Sequence, residues 1–271
     1  MLTYQRKTLC GDVYLEGLGL HSGVPVRVTI HPGDQGIAFR YGTDRVLARP
    51  ENVTDTTRCT TLGPVSTIEH LMSAFAGLEI TDAEVELDAS ELPGLDGSAA
   101  PYVSAIQEVG LTEIGSAEVP ALYGRVFHQD DLIKVAISKG EGHWRFVYAA
   151  NRWPNEQVYE SLDTVSDYVT QIAPARTFVL AEEIPMIIQM GLGRGLDENT
   201  ALILGIEGYK NTSRFDDEPA RHKLLDLIGD LYLAGVPIKF LNVVGERSGH
   251  RSNVKLAAML AQAVGRLGQQ A

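Results

Sequence analysis

The stretch Arg221–Gly235 reads RHKLLDLIGDLYLAG, and the fold is read outward from it. His222, Asp226 and Asp230 recur in steps of four. That spacing puts all three side chains on one face of a helix, about 6 Å from one to the next. Leu224, Leu225, Leu227, Ile228 and Leu231 take up much of the remaining circumference, so the helix is expected to be largely buried. Buried imidazoles and carboxylates are costly unless paired or bound to a metal. A His and a carboxylate at i, i+4 can ligate one zinc ion. A salt-bridged buried His–Asp pair is the competing reading of the same spacing.

On the N-terminal side, Thr8–Leu15, Val26–Ile30 and Gly36–Arg40 read as short strands divided by Gly, Pro and Asp turns. Ser66–Leu78 reads as a helix, Asp82–Leu87 as a half-buried alternating strand and Ala99–Val109 as a second helix. Leu111–Pro120 (LTEIGSAEVP) reads as a break, dividing the chain into domains 1–116 and 117–271. Beyond it, Leu132–Ile137 and Trp144–Tyr148 read as strands, Tyr159–Ile172 as loop and helix, Ala181–Met190 as a helix and Ala201–Leu204 as a strand. Pro237–Val244 follows as a buried strand and Val254–Leu267 as an amphipathic helix. Strands followed by helices, twice over, indicate an α+β protein of two domains. Duplication is possible, but the two halves do not align convincingly as sequences.

Composition narrows the function. The chain has 271 residues, enough for a real core, and a net charge of −12. That charge argues against sequence-independent binding to nucleic acid, which needs Lys and Arg on phosphates. No apolar run reaches the length of a membrane span and the N-terminus lacks a signal-peptide core, so a cytoplasmic protein is expected. With only Cys10 and Cys59, any transition metal must be held by His and carboxylate.

Three further histidines stand in suggestive company. Glu69–His70 lies in STIEHL, where Ser66 and Glu69 also fit a helix capping box. In the other reading His70 binds a metal and Glu69 takes a proton from water. His250 lies in a polar glycine-containing loop (GERSGHRSN), either as an acid or base or as a solvated surface residue. His21, in GLGLHSG, lines a site or merely serves a turn. GLGRGLDEN (Gly191–Asn199) lacks the GK[ST] ending of a phosphate loop.

Taken together, GLGLHSG (17–23), DTTRCTTL (55–62), STIEHLMSAFAGL (66–78), ELPGLDGSAAPYV (91–103), ARTF (175–178), RHKLLDLIGDL (221–231) and SGHRSNVKL (248–256) resemble, in order, the zinc-dependent UDP-3-O-acyl-N-acetylglucosamine deacetylases of lipid A synthesis. The resemblance implies that His70, His222 and Asp226 hold zinc, or ferrous iron, with a position left open for water. It implies Glu69 as general base, His250 as the protonated group serving the intermediate and the amine, and Asp230 as the partner that orients His250. Thr177 would donate to the oxyanion and Lys223 would position the sugar nucleotide, with Phe178 and His21 also contacting substrate. Each half would be a β-α-α-β sandwich of one sheet and two helices, the helices of the two facing each other across the zinc cleft. An insert within Asn151–Phe178 would form the acyl passage, with Tyr159, Leu162, Val165, Tyr168 and Val169 as lining or as ordinary core. The substrate would be UDP-3-O-(3-hydroxyacyl)-N-acetylglucosamine and the protein a monomer. The chain departs from the family pattern between Arg40 and Ser66, which is short, at Val179, and in GLGRGLDENTALIL (191–204). Two other readings therefore remain: a paralogue acting on another N-acyl sugar, and a non-catalytic homologue that binds a sugar nucleotide.

Overall fold

The computed structural model describes residues 1–265. The chain opens with β1 (Leu2–Leu9), then β2 (Val13–Leu18), β3 (Pro25–Pro32), β4 (Ile37–Tyr41), β5 (Asp44–Leu47) and a small ribbon, β6 (Val53–Asp55) with β7 (Thr61–Leu62). Helix α1 (Glu69–Gly77), strand β8 (Ala83–Leu87) and helix α2 (Ala100–Val109) complete the first half. After β9 (Leu111–Val119) come β10 (Arg125–Asp130), β11 (Ile133–Lys139), β12 (Trp144–Ala149) and β13 (Glu156–Ser161). An insert follows, with α3 (Thr164–Asp167), β14 (Phe178–Leu180), α4 (Ile184–Gln189) and β15 (Leu202–Leu204). Helix α5 (Glu218–Tyr232), strand β16 (Leu241–Glu246) and helix α6 (His250–Ala263) close the second half.

Each half carries a five-stranded sheet, and the two sheets share one topology. The first has the order β2-β3-β8-β4-β5 and the second β10-β11-β16-β12-β13. In both, the pair formed by the third and last strands in chain order (β4 with β8, β12 with β16) is parallel and the others are antiparallel. In both, one helix precedes the last strand and another follows it. This is the α+β architecture of paired sheet-and-helix halves, and it repeats where the sequences do not visibly align. Period-2 patterning directs each inner face: Val26, Val28 and Ile30 of β3, and Ala83, Val85 and Leu87 of β8, are buried while Glu84 and Glu86 turn outward. Trp144 and Phe146 of β12 do the same in the second sheet.

Several sequence expectations are corrected here. Thr8–Leu15 is not one strand; the chain turns at Cys10–Asp12 between β1 and β2. Leu111–Pro120 is not a break but strand β9, paired antiparallel with β1 from Leu2↔Val119 to Leu9↔Leu111. The 116/117 division falls inside it. Gly115, at φ 122, beside a bulge at Arg6/Lys7, supplied the misleading turn signal. Pro237–Val244 opens with a 3-10 turn, Ile238–Phe240, before β16. The last helix starts at His250, not Val254; Leu267 and the end RLGQQA lie outside the described residues. Among the described residues no helix is long and apolar enough to cross a membrane.

The two halves meet through α1 and α5, which pack against each other. Every residue of α1 is buried. They approach closely at Gly229, where an added Cβ would stand 2.0 Å from the carbonyl oxygen of Glu69. Only glycine lets the helices touch there.

Candidate active site

Glu69 and His70 open α1, following Thr67, whose φ of 62 forces the turn into the helix. The capping box does not form. Ile68 is the N-cap, with no side-chain hydrogen bond, and the Ser66 hydroxyl donates to the Ser90 carbonyl at 3.2 Å. Glu69 Oε2 instead accepts the Thr60 N–H at 3.0 Å. Across the helix contact, His222, Asp226 and Asp230 line up along α5 as their spacing predicts, each buried.

Side-chain nitrogen or oxygen atoms of His70, His222 and Asp226 converge within 4.8 Å of one another. His222 Nε2 lies 3.4 Å and His70 Nε2 3.8 Å from Asp226 Oδ1. That oxygen is buried and has no hydrogen-bond partner, which is costly for a carboxylate unless a cation completes it. Asp226 Oδ2 accepts from Lys223 Nζ at 2.9 Å. Burial pushes the His70 imidazole down to about 3, helped by neighbouring His222. Burial also lowers His222, whose Nδ1–H donates to the Ala175 carbonyl at 3.0 Å and leaves Nε2 free as a lone pair. Burial alone would raise Asp226, but the Lys223 ammonium and the His250 imidazolium hold it ionised, well below the usual carboxylate range. Two neutral imidazoles and one carboxylate make a donor set that fits a divalent metal of the zinc type.

His250 is the first residue of α6, not a loop residue. A helix N-terminus disfavours a cationic imidazole, and so does burial. Asp230 and Glu69 outweigh both and raise His250 to about 9. Its Nδ1–H donates to Asp230 Oδ2 at 3.0 Å, and its Nε2 lies 3.9 Å from Glu69 Oε1. Burial raises Glu69 to about 7, against the pull of His250. A base near neutrality and a protonated imidazole thus stand beside the candidate metal centre, the arrangement of groups that hydrolytic chemistry uses.

Glu69, His70, His222, Asp226 and His250 line a cavity of about 490 Å³. Lys223, Thr177, Phe178 and His21 all line it, as does Arg58, held at φ 72. The Lys223 ammonium lies 5.5 Å from the centre of the Phe178 ring. His21 is placed by Glu91, whose Oε1 accepts the His21 N–H at 2.7 Å and whose Oε2 accepts the Ser22 N–H at 2.8 Å. The sequence reading missed Glu91 and Arg58, although both lie within the matched motifs.

The apolar wall comes from Val179, Ile184, Ile187, Leu192, Leu196 and Ile203. Of the segment Asn151–Phe178 expected to supply an apolar lining, only Thr177 and Phe178 reach this cavity, and the rest of this wall follows it in the chain. Tyr168 is instead core, its hydroxyl donating to Ser73 at 2.8 Å. Tyr159 lies under the Arg221 guanidinium, Leu162 is exposed, and Val165 and Val169 pack on the core. Leu192, Gly193, Leu196 and Asp197 face the cavity, and the Arg194 N–H donates to the His21 carbonyl at 3.2 Å. The insert is anchored by a buried ion pair, Arg176 Nε to Glu218 Oε1 at 2.9 Å. It is also clasped by the Gly97 carbonyl, which accepts the Thr177 N–H at 2.7 Å. His31 and His143 lie away from the site, paired with Asp12 and Glu160.

By class, then, this is an α+β protein of paired sheet-and-helix halves with a buried His–His–Asp cluster lining a cavity. Comparison with known proteins narrows this. Residues 6–262 match the family model for UDP-3-O-acyl N-acetylglycosamine deacetylase. The UDP-3-O-acyl-N-acetylglucosamine deacetylase of Francisella tularensis is 35% identical over 276 residues, covering 93% of this chain and 94% of the relative. Proteins of the same name from Trichormus variabilis and Nostoc sp. are each 35% identical, covering 93% of this chain and 97% of their own. The chain belongs to the UDP-3-O-acyl N-acetylglycosamine deacetylase family.

Proposed function

We propose that this protein hydrolyses the acetamide of UDP-3-O-(3-hydroxyacyl)-N-acetylglucosamine, releasing acetate, in the synthesis of lipid A. The observation that carries the reading is the Asp226 Oδ1 without a hydrogen-bond partner, faced by two neutral imidazoles in the lining of a cavity with an apolar wall. Zinc, or ferrous iron in its place, would be held by His70, His222 and Asp226, and would supply Lewis acidity toward water and the acetyl carbonyl.

The chain's own residues divide the proton traffic. Glu69 accepts the proton of the attacking water, a role suited to a carboxylate raised to about 7. His250 stays protonated beside Asp230, stabilises charge on the carbonyl oxygen, and passes its proton to the amine nitrogen as the C–N bond breaks. The Thr177 hydroxyl donates to the same oxygen. Lys223, beside the Phe178 ring, and His21 position the sugar nucleotide, while the acyl chain enters the cavity walled by Ile184, Ile187 and Ile203.

The test is acetate release by the zinc-loaded protein across a series of acyl lengths. Turnover with a length optimum supports the reading. No turnover from folded protein carrying one zinc rejects this substrate. The departure at Gly191–Leu204 lies against the cavity and favours one second reading, another N-acyl sugar, to be assayed in the same way.

A further inference from the structure

We infer that Thr60 is a positioning residue that orients both carboxylates of the proton traffic, Glu69 and Asp230, from one buried point between the halves. The inference rests on the hydrolytic reading above. Thr60 is fully buried. Its backbone is fixed to the start of α1: its carbonyl accepts the Ile68 N–H at 3.2 Å, and its own N–H donates to Glu69 Oε2 at 3.0 Å. Its hydroxyl reaches across to the second half and donates to Asp230 Oδ1 at 2.6 Å. That is the short distance of a charge-assisted O–H···O⁻ bond.

The remaining oxygens turn toward His250. Asp230 Oδ2 accepts from His250 Nδ1 at 3.0 Å and from Asn253 Nδ2 at 3.0 Å. Glu69 Oε1 lies 3.9 Å from His250 Nε2. Each carboxylate therefore has one oxygen on Thr60 and the other facing the histidine. The terminal torsion of a carboxylate is broad and two-fold, so packing alone orients it poorly. Two bonds from one residue remove that freedom from both groups. Because Thr60 belongs to the first half and Asp230 and His250 to the second, the hydroxyl also sets the base against the acid across the contact of the halves. Displacing a reacting group by about 1 Å can cost roughly a hundredfold in rate.

The test compares Thr60→Val, which keeps the shape and loses the hydroxyl, with Thr60→Ser, which keeps the hydroxyl. Both are assayed as zinc-loaded full-length protein on UDP-3-O-(3-hydroxyacyl)-N-acetylglucosamine. Thr60→Val is expected to lower kcat about 30- to 100-fold with KM within about twofold, with bound zinc unchanged. Thr60→Ser is expected to restore kcat, and Thr60→Val in an Asp230→Asn background to cost little more. Independently of turnover, the His250 Nδ1 proton resonance is expected to shift or broaden in the valine variant and return in the serine variant. The inference is overturned by a kcat of Thr60→Val within about threefold of wild type, by a serine variant no better than valine, by parallel loss of zinc, or by an equal loss in the Asp230→Asn background. If Thr60→Val does not fold, Thr60→Ala against Thr60→Ser makes the same comparison, and equal rates overturn it. Absence of wild-type turnover would sink the assigned substrate instead, leaving the resonance to decide the positioning role.

Discussion

Gly229→Ala tests whether the centre depends on how closely α1 and α5 approach. A Cβ at Gly229 would stand 2.0 Å from the Glu69 carbonyl oxygen, 2.9 Å from its carbon and 3.1 Å from the Ser73 nitrogen. All three are backbone atoms, so no side chain can swing aside. Overpacking of this kind costs about 1–3 kcal/mol, and an obstacle made of buried backbone belongs at the upper end. Alanine returns about 1 kcal/mol in helix propensity, leaving a net loss of about 2 kcal/mol. To relieve the contact the helices must part by about 1 Å, carrying Glu69 and His70 away from His222 and Asp226. Zinc affinity should then fall roughly 10- to 100-fold, although no ligand has been changed. Urea unfolding of metal-free protein reads the first effect, and competition with a chelator the second. An unchanged urea midpoint together with unchanged zinc affinity would refute the reasoning, because the close crossing would then constrain neither fold nor centre.

Other perturbations separate the roles. Glu69→Ala should leave zinc bound while lowering kcat by about 10²–10⁴, measured as acetate release beside metal content; a near-normal rate removes Glu69 from the mechanism. With Glu69 near 7 and His250 near 9, kcat/KM should fall below about 7 as Glu69 gains its proton and above about 9 as His250 loses its own. His250→Gln should therefore lower the rate and abolish the alkaline limb, and an alkaline limb that persists would assign it elsewhere. Ile187→Trp narrows the cavity, and since each methylene shut out forfeits about 0.8 kcal/mol, KM should rise roughly tenfold for every two excluded. The acyl-length series would show this as a shorter optimum, and an unmoved optimum would place the chain elsewhere. Glu218→Gln leaves Arg176 buried without its counter-charge and should cost about 3–5 kcal/mol in urea unfolding; a loss below about 1 kcal/mol would mean the pair does not anchor the insert.

Local period is legible in this sequence, and long-range pairing is not. The four-residue steps of His222, Asp226 and Asp230, and the alternation of Ala83, Val85 and Leu87, identify their elements without help. The ordered motifs identify the residues that the fold then gathers. Asp44–Leu47 escapes notice because a short, half-exposed edge strand carries little apolar signal. Tyr159, Val165, Tyr168 and Val169 mislead as cavity lining because they are as apolar as a lining should be. Composition cannot tell which space a side chain fills, and Tyr168 fills the one that Gly77 leaves against α1, where an added Cβ would lie 2.1 Å from its ring. His250 reads as a loop residue because helical patterning shows only from Val254, four positions after the helix has begun.

The shared topology explains why the centre lies where it does. Helices α1 and α5 are equivalent, each preceding the last strand of its sheet, so the contact at Gly229 joins like to like. Such an arrangement makes the cleft from two equivalent surfaces, and function then requires that they differ. The first half keeps a short connection before its helix and uses it to carry Arg58 and Thr60 to the site. The second half lengthens the matching connection, between β13 and α5, into the insert that walls the cavity. The charges divide along the same line: Glu69 and His70 come from one helix, and His222, Asp226, Asp230 and His250 from the other half. Neither half holds the set of groups alone. Their relative placement is therefore set by a glycine at the crossing, a threonine hydroxyl across it, and the Gly97–Thr177 clasp on the insert.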